Sequence, residues 1–154
     1  MTSIDLQGAL LEAIQTEKDA MDYYQLAAEK AADERARKTF ELLSREERQH
    51  AFSFYAACDD SNLKSFDEMM AEPPDTESSW FHALQKAMIA EFDERVALEL
   101  AIEQEDLLEK QLRAMAAKIS DEKIRAIYLA NANSTHQHLL LVEEDYKAML
   151  GMSS

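Results

Sequence analysis

What most constrains this chain is a set of polar residues that interrupt apolar helical stripes, and recur at a fixed interval. Leu10, Ile14, Met21, Tyr24 and Ala28 follow three- and four-residue steps, the spacing of one helix face, and Glu17 falls on that face. A lone carboxylate there is costly to bury as an ion. It must be paired, protonated or bound to a cation, unless it sits at the stripe's edge and reaches water. A second stripe carries Phe40, Leu43, Glu47, His50 and Phe54. A third has Ala101, Glu105, Leu108, Leu112, Met115 and Ile119, and a fourth has Ile124, Ile127, Asn131, Thr135, His138 and Val142.

These stripes are related by an offset of 88 residues. ALLEAIQTE (Ala9 to Glu17) lies over ALELAIEQE (Ala97 to Glu105), and Gln49-His50 lies over Gln137-His138, with no gap between. Helical sequences can agree by composition alone. Here the repeated residues include the polar ones of the inner stripes, Glu17 with Glu105 and His50 with His138.

Only two glycines and two prolines occur among 154 residues, and alanine, leucine, glutamate and lysine abound. An all-α fold follows, in one domain with room for a sizeable core. The formal charge of −15 excludes nucleic acid and anionic membranes as favoured partners, because phosphates would be repelled. No run is long and apolar enough to span a bilayer, and Met1 to Leu10 lacks a signal-peptide pattern, so the expected compartment is the cytoplasm. A single cysteine, Cys58, excludes an internal disulfide or a multi-cysteine centre.

In chain order, a helix from about Ile4 to Ala32 and a second from Asp33 to about Cys58 form a first hairpin, over about 4–58. A linker and short helix occupy about 59–92, including Pro73-Pro74, a helical turn at Phe66 to Met70, and a helix from Trp80 to Phe92. That last helix is expected to bury Phe81, Leu84, Met88 and Phe92 and to run on, in one version, into the next. The second hairpin, about 94–150, has helices from Glu94 to Ile119 and from Ser120 or Asp121 to Leu150, ended by Gly151.

Glu47 and His50, in EERQH, are three apart and project from one helix face. Alone the pair reads equally as a charge-rich exposed turn. Two related hairpins would instead aim Glu17, Glu47, His50, Glu105 and His138 at one interior. That is nearly the two-metal carboxylate arrangement of a helix bundle: a glutamate from each of two helices and Glu-x-x-His from each of the others. Buried glutamates need cations, and divalent cations need carboxylate and imidazole ligands.

The motifs AIQTE with Tyr24 seven residues later, EERQH and AIEQE resemble the rubrerythrin branch of the ferritin-like superfamily over both hairpins. The resemblance implies a non-haem di-iron four-helix bundle, usually a homodimer, sometimes with exchanged helices. Family members typically reduce hydrogen peroxide, and relatives oxidise or store iron. It implies terminal ligands at Glu17, His50, Glu105 and His138 and a bridge at Glu47. Tyr24 either bonds a ligand carboxylate or fills the core. The paired Cys-x-x-Cys of the family's rubredoxin module is missing, so the electron donor is expected to be a separate molecule.

The repeat puts Thr135 where the fourth helix should offer its glutamate. Four carboxylates neutralise two divalent ions, whereas three leave one positive charge. A hydroxide or external anion completes the site, or one metal position is weak or empty, or the site has lost its chemistry. Asn131, on the same stripe, Ser134 and His136 are candidates to compensate. The expected function is therefore iron binding, two per site, with peroxide-reducing or iron-oxidising activity. A single metal or another divalent metal is the variant, and a degenerate bundle serving as a metal-binding, interaction or structural protein is the alternative.

Overall fold

The computed structural model describes residues 5–59 and 62–151. The expected start of the first helix at Ile4, and Asp60 and Ser61 of the linker, lie outside the described residues. Six helices and no strands occur among those described: α1 (Leu6–Lys30), α2 (Glu34–Ala56), α3 (Phe66–Met70), α4 (Ser79–Lys86), α5 (Glu94–Lys118) and α6 (Glu122–Met149). Each begins at a residue whose side-chain oxygen accepts a backbone N–H from the first turn. Asp33 takes that of Ala36 and Asp121 that of Ile124. At the far end of α6 the chain turns through Gly151 at φ 76°, a left-handed conformation that a side chain would strain.

The short turns after α1 and α5 bring each long pair together as a hairpin, α1 with α2 and α5 with α6. Between hairpins, α2 packs on α6 and α4 bridges α1 and α5. Polar ties fix this arrangement. The buried Asp145 on α6 accepts from Arg35 Nε at 2.8 Å and from the Thr39 hydroxyl, both on α2. The Tyr23 hydroxyl donates to the Ala97 carbonyl at 2.6 Å, linking α1 to α5. Glu94, at the start of α5, accepts the N–H groups of Ala32 and Asp33 in the first hairpin's turn.

The connecting segment departs from the sequence expectation. No helix runs from Trp80 to Phe92: α4 stops at Lys86, the Asp93 N–H returns to the Ala87 carbonyl at 2.8 Å, and Asp93 caps α5 afresh. The buried face is also different. Trp80, Ala83 and Leu84 are buried, while Met88 is exposed and Phe81 and Phe92 are half-buried. Trp80 sets the rotation of α4, because its ring lies 5.2 Å from that of Tyr23 and 5.5 Å from that of Tyr24, edge to face. Truncating a tryptophan so placed costs about 3–5 kcal/mol.

Candidate metal centre

The five candidate ligands come together in the bundle. Glu17 on α1, Glu47 and His50 on α2, Glu105 on α5 and His138 on α6 are buried, the three glutamates at 0 % exposure. Each helix contributes because its apolar neighbours face the core. Leu10, Ile14 and Met21 lock the rotation of α1, and Phe40, Leu43 and Phe54 that of α2, so the intervening carboxylates must point inward.

Glu47 stands in the middle. Its Oε1 is 2.9 Å from His138 Nδ1 and its Oε2 is 3.4 Å from His50 Nδ1. The two imidazoles stack at 5.1 Å between centroids and 6° between planes. Glu17 flanks one, its Oε2 3.5 Å from His50 Nδ1, and Glu105 flanks the other, its Oε1 3.9 Å from His138 Nδ1. One ligand atom each from Glu47, His50 and His138 all lie within 4.8 Å of one another. Tyr24 is fully buried among aromatic rings, and its hydroxyl donates to Glu105 Oε1 at 2.7 Å.

The electrostatics are those of an interior short of positive charge. Burial, followed by the neighbouring charge of Glu47, raises the Glu17 and Glu105 carboxyls well above their ordinary range. Burial alone would raise Glu47 too. The close approach of Glu17, the hydrogen bond to His138 and the neighbouring His50 outweigh it, and Glu47 is held well below its usual value. For His50, burial favours the neutral ring, but Glu17 and Glu47 push its pKa up to about 11. Without a metal, burial thus favours the neutral form of Glu17 and Glu105, and the carboxylates beside it favour the charged form of His50.

A cation fits this donor set. Both oxygens of Glu17, Oε2 of Glu47, Oε2 of Glu105 and Nδ1 of His50 are buried with no hydrogen-bond partner among the described residues. Interiors rarely leave so many acceptors unsatisfied in one place. Carboxylate and imidazole together suit iron, manganese or zinc.

The residues expected to compensate for Thr135 behave differently from one another. Thr135 is fully buried and its hydroxyl has no partner among the described residues. Asn131 is buried, but its amide donates to Ser53 Oγ at 3.0 Å and to the Ile127 carbonyl at 2.8 Å, facing α2 rather than the carboxylates. His136 points away, its Nδ1 2.9 Å from Glu109 Oε1 with 45 % of its side chain exposed. Ser134 reaches His50 Nε2 at 2.8 Å, so it orients a candidate ligand from behind. Glu46 plays the matching part for His138, its Oε1 3.3 Å from Nε2. Glu46 reads in the sequence as one charge of an exposed turn. Only its place beside Glu47, where α2 meets α6, could have flagged it.

These features define a ferritin-like helical bundle with a buried carboxylate–histidine cluster that fits metal. The family model described as Rubrerythrin matches residues 9–144, and the chain belongs to that family. Neither the curated proteins nor the solved structures give a significant match.

Proposed function

We propose that this chain is a two-iron protein that reduces peroxide, with Glu17 and His50 holding one metal, Glu105 and His138 the other, and Glu47 between them. The observation that carries the reading is the group of buried oxygens on Glu17, Glu47 and Glu105 that lack a hydrogen bond, two of them turned toward His50 Nδ1. Ferrous ions there would supply the two electrons that reductive cleavage of an O–O bond requires. The chain's own residues do the rest. Tyr24 holds Glu105 in place, Ser134 and Glu46 fix the far nitrogens of His50 and His138, and the surrounding core limits water. Because burial favours the neutral form of Glu17 and Glu105, and its carboxylate neighbours the charged form of His50, holding a metal there would be linked to proton release.

The reading includes a homodimer in the cytoplasm, served by a separate electron donor. Family likeness supports the dimer, and sedimentation tests it. The decisive experiment is metal analysis of protein purified without chelator, then anaerobic ferrous titration, then peroxide. About two irons per chain with peroxide-dependent oxidation is expected. Trace metal and no ferrous binding would sink the proposal. The buried, uncharged Thr135 favours a second reading, a metal-binding bundle without turnover. Ferrous binding with no response to peroxide would select it.

A further inference from the structure

From Ala126 to Val142 no Asp, Glu, Lys or Arg occurs, although the chain holds 31 acidic and 16 basic residues. The inner side of this stretch of α6 needs none, because it packs against α2 and α5. The outer side has no such cover. There Ala126, Ala130, Asn133, Gln137 and Leu140 are all exposed, Leu140 by 47 %. Exposed positions of α5 are of the ordinary kind, Arg95, Glu99, Glu103, Lys110 and Arg113 among them. The five α6 positions advance by steps of four, three, four and three residues, the spacing of a seam along which a second helix lies. Lys123 and Glu144, both exposed, continue the series at its two ends, over about 30 Å of helix.

The chemistry of the seam identifies that second helix. A formal charge of −15 makes two copies repel wherever acidic faces meet, and a face without charge removes that cost. Depletion of charged residues is also the mark of an interface core. The series is self-complementary, as a two-fold contact requires. With two copies of α6 antiparallel and Asn133 at the axis, Ala126 comes opposite Leu140, Ala130 opposite Gln137 and Lys123 opposite Glu144, each twice. Small side chains then meet larger ones, and opposite charges close both ends. A parallel pair would instead set Lys123 against Lys123 and Glu144 against Glu144. Glu144 keeps 63 % of its side chain exposed, with Arg35 no nearer than 3.9 Å. Asn133 Oδ1 accepts from Arg113 Nη2 at 3.1 Å, which orients the amide, and one polar residue within a seam sets its register.

We propose that the outer face of α6 is the contact between two copies of this chain, packed antiparallel across a two-fold axis at Asn133. This rests on the homodimer of the reading above and not on its chemistry, and gives that dimer a face, a direction and a register.

The test is sedimentation of the full chain over a range of concentrations, with and without ferrous ion. A monomer–dimer equilibrium is expected. Ala130→Glu should weaken it about a hundredfold or more, because an unpaired carboxylate enters the contact at two points. Lys123→Glu should weaken it about tenfold by setting acid against acid twice, and adding Glu144→Lys should restore it. Lys86→Glu, exposed on α4, makes the same change in net charge and should leave the equilibrium in place. In protein carrying Cys58→Ser, Ala126→Cys together with Leu140→Cys should cross-link two copies on oxidation, and Ala126→Cys alone should not. All the α6 positions are exposed, so circular dichroism should be unchanged throughout.

A chain that stays monomeric up to about 1 mM, the weakest association worth the name, would overturn both this contact and the homodimer. A dimer indifferent to Ala130→Glu and Lys123→Glu would leave the homodimer standing on another face and overturn this one. Cross-linking through Ala126→Cys alone would make the pair parallel and defeat the antiparallel register. Ferrous uptake is scored separately in each sample, so the metal reading stands or falls independently of the dimer.

Discussion

Glu47 Oε1 lies 2.9 Å from His138 Nδ1, although the two residues are 91 positions apart. The same carboxylate meets His50 of its own helix with its other oxygen, so both imidazoles face one side chain. Glu47→Gln keeps the shape and removes the charge that both imidazoles face. Ferrous or cobalt affinity should fall by more than the roughly 10–100-fold that losing an outer partner of a ligand costs. Calorimetric titration reads this, and an unchanged affinity would remove Glu47 from the centre.

Tyr24→Phe tests the support beneath Glu105. The ring and its packing on Phe40 and Trp80 survive, while the donor to Glu105 Oε1 is lost. A buried acceptor left without its donor costs about 1–3 kcal/mol. Urea unfolding of the metal-free protein should show that loss with an unchanged slope. No loss would mean that the hydroxyl bond contributes nothing net.

Much of this arrangement was legible in the sequence, because helical periodicity and burial are the same information seen twice. Glu17, Glu47, Glu105 and His138 stand out only against the apolar residues flanking them on each stripe, and those residues are the core. The turn at Phe66–Met70 and the cap at Asp33 were also readable locally. What failed was tertiary in origin. Nothing between Trp80 and Asp93 breaks a helix, since no glycine or proline lies there, and Phe81, Leu84, Met88 and Phe92 share a spacing. The break depends on Asp93 capping α5, and the burial of Trp80 on Tyr23 and Tyr24 of a distant helix. Glu46 was missed for a similar reason: its partner His138 comes from the other hairpin.

The protonated interior sets a pH dependence. Glu17 and Glu105 have folded-state pKa values above those of the unfolded chain, as does His50 at about 11. Each contributes stability that is fully present below its unfolded pKa and is lost as pH rises through the folded value. Glu47, shifted downward, acts oppositely and loses its contribution in acid. Metal-free protein should thus lose thermal stability from mildly acidic to alkaline pH, and saturating divalent metal should flatten the profile by taking the place of the protons. Melting curves from pH 5 to 9, with and without metal, check both. A flat metal-free profile would mean that these carboxyls are not held protonated.

Asp19, two residues beyond Glu17 on α1, offers a second pH probe. Burial, then Asp75 and Asp22, raise its pKa to about 6, although Gln15 donates to it at 2.7 Å. Its stabilising contribution is complete below about 4, the ordinary aspartate range, and disappears as pH climbs through 6. Asp19→Asn removes the ionisation that opposes folding. Allowing for partial exposure, about 1 kcal/mol or a Tm gain of about 2–4 °C is expected at pH 7.5. The gain should vanish near pH 4, and an equal gain at both values would assign the effect to something other than ionisation.

Thr135→Glu places a fourth carboxylate in the position that the repeat leaves neutral. Thr135 is at 0 % exposure with an unpartnered hydroxyl, on the stripe of α6 that carries His138 one turn later. In the metal-free protein the new glutamate adds another buried acid to the core, so it must be protonated or destabilise the fold. A drop in Tm is expected, larger at pH 8 than at pH 5. With two divalent ions the sign reverses: four carboxylates supply the four negative charges the pair requires, and the side chain gains a partner. Metal should therefore raise the Tm of the variant more than that of the parent, and the weaker of two binding steps should tighten. If metal rescues neither Tm nor affinity, Thr135 does not face the centre, and the pairing of α6 with α2 through the repeat would need a different register.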